Sequence, residues 1–248
     1  MSRRALVTGV SGGIGQAVAR TFVTEGWRVI GFDRITPPDD LLAAIHYTAC
    51  DLADSDQIRT SIASMVGDEP LDALVNNGAL QLNRALSETS DDEWDLVMNT
   101  NVRSAFLCMR EAHANLVAAS GSVVNVSSVH AVATSANVGA YAASKGALVA
   151  LTRAAAVELA EHGVRCNAVL PGAVDTQMLR DGLGRRPHPD GPAGNLQALI
   201  DRTPLRAVAD PYEIASSIVF LADGSKSSFI TGQAVVIDGG ATARLSTE

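Results

Sequence analysis

Seven short apolar runs alternate with helical patterns along this chain, and that alternation leaves few folds open to it. The runs fall near 4–9, 27–32, 45–50, 71–76, 121–127, 164–170 and 234–238. Helical periodicity occupies 13–25, 55–66, 91–118, 140–162 and 211–223. Runs that are apolar on both faces are strands covered on both sides, which means a parallel sheet flanked by helices. Right-handed crossovers then give a doubly wound α/β fold of about seven strands. At 248 residues, one domain over 1–248 is expected. Aromatics are only 4% of a chain that is 47% hydrophobic, so the core must be built from Ala, Val, Leu and Ile.

The first strand runs into a glycine turn, Thr8-Gly9-Val10-Ser11-Gly12-Gly13-Ile14-Gly15, and a helix follows. Glycines let the backbone approach a phosphate, and a helix N-terminus offers free N–H groups and a positive dipole end. The spacing Gly-x-x-x-Gly-x-Gly differs from the commoner Gly-x-Gly-x-x-Gly. The plainer alternative is an ordinary turn. Asp33 argues against it, because it ends the second strand roughly 20 residues on, where a ribose-binding acid belongs. Ligands of such sheets sit beyond the carboxyl ends of the strands. Gly9, Asp33, Asn76, Ser128 and Pro171 all fall at strand ends, so they converge on one edge.

A second signal lies in NVSSVHAVATSANVGAYAASKGAL. Tyr141 and Lys145 are four apart in an Ala-rich helical run, which puts phenol and ammonium on one helix face. A nearby cation favours a phenolate, so Lys145 is expected to lower the Tyr141 pKa. A tyrosine so tuned exchanges a proton with an alcohol oxygen. Ser128, at the end of a buried strand, can hold the same oxygen. Alone, a Tyr-x-x-x-Lys pair is a common surface accident.

Together these residues resemble the short-chain dehydrogenase/reductase family over nearly the whole length. The resemblance rests on Thr8-Gly9 to Gly15, Asn76-Asn77-Gly78-Ala79, Asn101, Ser128, Tyr141, Lys145, Pro171-Gly172 and Asp238-Gly239-Gly240. It implies a Rossmann-type fold and hydride transfer between a nicotinamide dinucleotide and a secondary alcohol or ketone. Tyr141 would be the general base for oxidation and the acid for reduction. Ser128 would bind the substrate oxygen, and Lys145 the nicotinamide ribose. Asn101 would hold a water linking Lys145 to solvent. Gly9, Ser11, Gly12, Gly13, Ile14 and Gly15 would wrap the pyrophosphate. Asp51 and Leu52 would meet the adenine, although Asp51 also reads as a helix cap. Asn77, Gly78 and Ala79 would pass close to the cofactor, with the last two residues swapped relative to the family's Asn-Asn-Ala-Gly. Pro171, Gly172, Val174 and Thr176 would line its nicotinamide end.

Asp33 and Arg34 pull cofactor choice in opposite directions. A carboxylate accepts from both adenosine ribose hydroxyls and repels a 2′-phosphate, whereas Arg34 would pair with one. An exposed arginine can swing away, so NAD is expected over NADP. Gln81 and His130 match residues that grip a carboxylate in 3-hydroxybutyrate dehydrogenases, but Val138 stands where those enzymes add a lysine. Arg180, Arg185, Arg186 and His188 could supply that charge from 177–206, a Gly-, Pro- and Arg-rich stretch of weak periodicity. That stretch reads as a substrate lid or, more plainly, as a surface loop. A sugar or hydroxy acid is the expected substrate. Two other readings remain, an NADPH-dependent 3-oxoacyl ketoreductase and a non-catalytic nucleotide-binding protein.

A formal charge of −8 disfavours nucleic-acid or anionic-membrane partners. Cys50, Cys108 and Cys166 are scattered in apolar surroundings, which fits reduced thiols rather than a metal site. No leader and no membrane-length apolar stretch is evident, so a cytoplasmic setting is expected. The resemblance also implies a homotetramer built on 91–118, 140–162 and the last strand, with Ala142, Ala143, Gly146 and Ala147 allowing close helix approach.

Overall fold

The computed structural model describes residues 2–185 and 187–243. Each apolar run is a strand: β1 (Arg4–Thr8), β2 (Arg28–Asp33), β3 (His46–Ala49), β4 (Ala73–Asn76), β5 (Ser122–Val126), β6 (Arg165–Pro171) and β7 (Ala234–Ile237). All pair in parallel, in the order β3-β2-β1-β4-β5-β6-β7. Strand order reverses between β1 and β4, and the crevice beyond that reversal is where such a sheet binds ligands.

Alternating side chains feed two core layers. Ala5, Val7, Val29, Val75 and Val124 pack under α1 (Gly13–Thr24) and α10 (Pro211–Ala222). Leu6, Ile30, Leu74, Val123 and Cys166 pack on the opposite face. The helices there include α3 (Ser55–Met65), α5 (Ser104–Glu111) and α7 (Gly139–Leu159). Short helices α2 (Asp39–Leu42) and α11 (Gly224–Ser227) cover the edges.

Two helical expectations change. The single helix expected over 91–118 is α4 (Asp91–Met98), a π-helical turn at Asn99–Arg103, α5, and then α6 (His113–Ala119). The cause is Asn101, whose buried side chain bonds outward to the Leu80 backbone rather than following an even helical path. The stretch 177–206 is not a loop. It holds α8 (Gln177–Gly184) and α9 (Gly191–Arg202), tied together where Asn195 Nδ2 donates to the Leu183 carbonyl at 3.0 Å. Thr176 caps α8 through its hydroxyl, and Pro192 opens α9. Arg186 lies outside the described residues.

The glycine turn is held by contact, not by sequence preference alone. Gly9 has φ +66°, open to glycine at little cost. A Cβ on Gly15 would sit on the Gly9 carbonyl oxygen, and one on Gly9 would meet Gly78 Cα at 2.5 Å. Gly15→Ala is therefore expected to cost about 1–3 kcal/mol through overpacking. That corresponds to a Tm lower by roughly 2–12 °C in a thermal melt followed by circular dichroism.

Candidate active site and dinucleotide cleft

The Gly9–Gly15 turn is stapled to the end of β4. Asn77 Nδ2 donates to the carbonyls of Thr8 and Gly9, both at 3.0 Å. The Thr8 hydroxyl accepts from the N–H groups of Asn77 (3.0 Å) and Gly78 (3.1 Å). A Cβ at residue 78 would overlap the Leu52 Cδ1 methyl, so the Gly-Ala order lets Leu52 pack directly on this backbone. Asp33 is fixed by two N–H donors, Ser11 to Oδ2 and Ile35 to Oδ1, each at 3.0 Å. Each oxygen keeps a further lone pair for a ribose hydroxyl.

These groups open onto one cavity of about 700 Å³. Its walls include Gly9, Gly12, Gly13, Ile14, Asp33, Asn77, Gly78, Ala79, Pro171, Gly172, Val174 and Thr176. Helix α1 starts at this wall with Gly12 as N-cap, no side-chain cap bond and no acid in its first turn. Its first N–H groups are therefore presented to the cavity without a capping side chain, as a bound phosphate requires. The residues present thus fit a nicotinamide dinucleotide, with Asp33 at the adenosine end and Thr176 at the other.

Several expected cofactor residues act from outside the wall. Ser11 orients Asp33 through its N–H, and its hydroxyl donates to the Ile35 carbonyl. Gly15 is buried behind the turn, and Leu52 is buried against Gly78. Arg34 is exposed and does not line the cavity. Asp51 neither lines the cavity nor caps α3. Its carboxylate accepts from the Ala53 N–H, and Asp54 is the cap, accepting from Asp56 and Gln57.

Ser128, Tyr141 and Lys145 converge on the same cavity. They are 6%, 6% and 2% exposed. Ser128 Oγ accepts the His130 N–H at 3.2 Å, and its hydroxyl is close enough to the Tyr141 phenol to act on its pKa. Lys145 Nζ lies 5.5 Å from the Tyr141 ring centre and donates to the Val126 carbonyl at 2.8 Å. The expected lowering of the Tyr141 pKa is not what this arrangement gives. Burial pushes the phenol up to about 12, with the Ser128 hydrogen bond pulling the other way. Burial likewise draws the Lys145 ammonium down to about 7. Desolvation dominates both shifts because each group is almost wholly surrounded by protein.

Polar ties set the position of α7. Ser127 Oγ donates to the Lys145 carbonyl at 2.8 Å. Asn101 Nδ2 donates to Ser144 Oγ at 2.9 Å. Deeper in the core, Asn76 donates to Asn125 Oδ1 (2.8 Å), and Asn125 to Thr152 on α7 (2.9 Å). Asn101 itself does not line the cavity; its amide is occupied by Leu80 and Ser144.

The other half of the cavity is lined by Gln81, Asn83, Ser128, His130, Thr134 and residues of α8 and α9. His130 stands edge-on to Tyr141, with ring centres 5.7 Å apart, and its Nδ1 lies 3.0 Å from Thr134 Oγ1. Gln81 donates to Asn83 at 3.1 Å. Arg180 departs from expectation. It pairs with Asp175 at 2.8 Å and is outside the wall. Arg185 is outside too, Val138 is buried elsewhere, and His188 is in the wall. Asn83 and Arg202 line the cavity without having been singled out from sequence. Acids five residues upstream mark Arg180 (Asp175) and Arg206 (Asp201) as paired, whereas Arg202 has no such acid.

A family model described as "Enoyl-(Acyl carrier protein) reductase" matches residues 9–242. The 2-(R)-hydroxypropyl-CoM dehydrogenase of Xanthobacter autotrophicus is 34% identical, over 98% of this chain and 100% of that protein. The aldohexose dehydrogenase of Thermoplasma acidophilum, solved ligand-free, superposes with a TM-score of 0.91 at 31% identity, over 99% of this chain and 96% of that one. ElxO, solved with NADP bound, gives a TM-score of 0.86 at 29% identity over 98% of this chain and 100% of that chain.

Proposed function

This chain belongs to the short-chain dehydrogenase/reductase family, and on that premise we propose that it is an NAD(P)-dependent oxidoreductase of secondary alcohols and ketones that prefers NAD. The observation that carries the reading is the meeting of Ser128, Tyr141 and Lys145 with the glycine turn on one cavity. When bound, the dinucleotide supplies or accepts the hydride. The chain's own residues handle the oxygen and its proton.

In the reducing direction, Tyr141 is a protonated phenol at neutral pH and donates to the carbonyl oxygen as charge builds there. Ser128, in the same wall, would turn its hydroxyl proton onto that oxygen. In the oxidising direction, Tyr141 accepts the alcohol proton. Lys145, poised near neutrality, stabilises the phenolate whenever it carries its own proton. Gly12, Gly13 and Ile14 offer N–H groups to the pyrophosphate, and Asp33 accepts from the ribose. Helices α8 and α9 form the substrate lid. The names of the relatives, a hydroxypropyl and an aldohexose dehydrogenase, support a polar, hydroxylated substrate.

The face of α7 bearing Ala143 and Gly146 looks outward, and Trp94, Phe106 and Val157 are exposed large side chains, which supports assembly into a homotetramer. Cys50, Cys108 and Cys166 are free and buried, in keeping with a reducing cytoplasm. Among the described residues no helix is long and apolar enough to cross a membrane.

A panel of secondary alcohols and sugars, followed by NADH absorbance, tests the activity; no turnover with any member would sink it. Cofactor choice is tested by Asp33→Ala. The variant is expected to raise the NADP-to-NAD ratio of kcat/KM by about 10–100-fold, because a like charge against the 2′-phosphate is removed. An unchanged ratio would remove Asp33 from the argument.

A further inference from the structure

We propose that Arg202 is a specificity residue that anchors an oxyanion tail on the substrate, a carboxylate or sulfonate carried by the secondary alcohol. The inference rests on the active-site reading above and deepens it. Arg202 ends α9 and lines the cavity. Its neighbours in the lid have partners: Arg180 pairs with Asp175, Arg206 with Asp201, and His188 contacts Asp190. Arg202 is exposed at the mouth of the cavity, and among the described residues it makes no ion pair.

The surroundings carry the same sign. The chain holds 27 acids against 19 lysines and arginines, yet among the described wall residues Asp33 is the only carboxylate. Asp33 sits at the end of β2, at the adenosine end. The substrate half presents one fixed cation, Arg202, together with the imidazoles of His130 and His188, the amides of Gln81, Asn83 and Asn195, and no acid. A cavity lined by one sign in an otherwise acidic protein concentrates the opposite charge.

Arg202 lies far from Asp33, and so from the adenosine ribose that Asp33 would hold. The next residues are pinned over the end of β7: Leu205 N–H donates to the Gly239 carbonyl at 3.1 Å, and a Cβ on Gly239 would meet Thr203 Cγ2 at 2.8 Å. In the sheet, β7 is five strand spacings from β2, about 24 Å. A planar guanidinium binds an oxyanion through two parallel hydrogen bonds, and a lysine cannot reproduce that fork.

The test uses holoenzyme and matched pairs of short secondary alcohols that differ only at the tail, 3-hydroxybutyrate against its methyl ester and 2-hydroxypropylsulfonate against a neutral ester of it. The ionised member is expected to be favoured by about tenfold or more in kcat/KM. Arg202→Gln should bring that ratio towards one by raising KM for the ionised member roughly 10–100-fold, and Arg202→Lys should restore part of it. The carboxylate and sulfonate arms show which tail is preferred. A wild-type preference for the neutral members, or a preference that survives in Arg202→Gln, overturns the proposal while leaving the dehydrogenase reading intact. If no alcohol reacts, that reading fails first. The proposal is then decided on the NADH complex, by whether acetate or methanesulfonate protects Arg202 from phenylglyoxal. Failure of both to protect overturns it.

Discussion

Tyr141→Phe is expected to lower kcat by about 100- to 10,000-fold on any alcohol the enzyme oxidises, with the dinucleotide Kd little changed. The phenol oxygen meets Ser128 and the cavity, so its removal deletes the proton carrier without emptying the core. Phenylalanine keeps the ring against His130. Loss of one hydrogen bond costs only about 1 kcal/mol of stability, so the variant should fold. A second signature separates chemistry from packing. Burial holds the wild-type phenol protonated to about pH 12, against an ordinary value of 10.0. Between those values the folded protein binds more protons than the unfolded chain, so wild-type stability falls as pH rises through that window. The Phe variant should lack that part of the alkaline decline. Denaturant melts at pH 9 to 11 would show it, and retained turnover would end the case for Tyr141.

Lys145→Met is expected to lower kcat/KM by at least about 100-fold, through loss of the charge that supports a phenolate. Its stability should move the other way. The wild-type side chain is 2% exposed, and burial draws its pKa from 10.5 to about 7. Between those values the unfolded chain holds a proton that the folded protein has released, so wild-type stability falls as pH drops from 10.5 towards 7. Below 7 both forms are charged and the penalty is complete. Methionine fills similar volume without that penalty, at the cost of leaving the Val126 carbonyl unpaired. The margin of the variant over wild type should therefore be largest at or below pH 7 and shrink as pH rises to 9. A margin that grew with pH would show that Lys145 is not held against its charged form.

The parallel sheet could be read from residues because its inner strands β1, β4, β5 and β6 are buried on both faces, a pattern that strands sealed between helices carry. Asp33, Ser128 and Tyr141 could be placed for the same reason: strand ends and helix spacing fix where they point. The lid could not. Gly182, Gly184, Gly191 and Gly194 lower helix propensity across 177–206, yet α8 and α9 form. Gly194 lets the His188 ring pack where a Cβ would overlap it, a contact between residues whose meeting no local pattern encodes. Arg202 was hidden in the same way, since lining a cavity depends on where α9 ends over β7. The opposed charges of Tyr141 and Lys145 could be seen in their spacing, but not the burial that pushes both towards neutrality.

The chain of amides and hydroxyls from Asn76 through Asn125 to Thr152, with Ser127 and Asn101 nearer the surface, works like the index pin of a rotating stage. Helix α7 has a smooth, Ala-rich flank that would otherwise tolerate a small screw motion along the sheet. Such a motion would displace the phenol and the ammonium together, by different amounts, from Ser128 just beyond β5. Apolar replacements of matching volume along that chain should leave a protein that folds and melts normally but whose proton donor no longer aims at one spot, so that accuracy of alignment fails before the scaffold does.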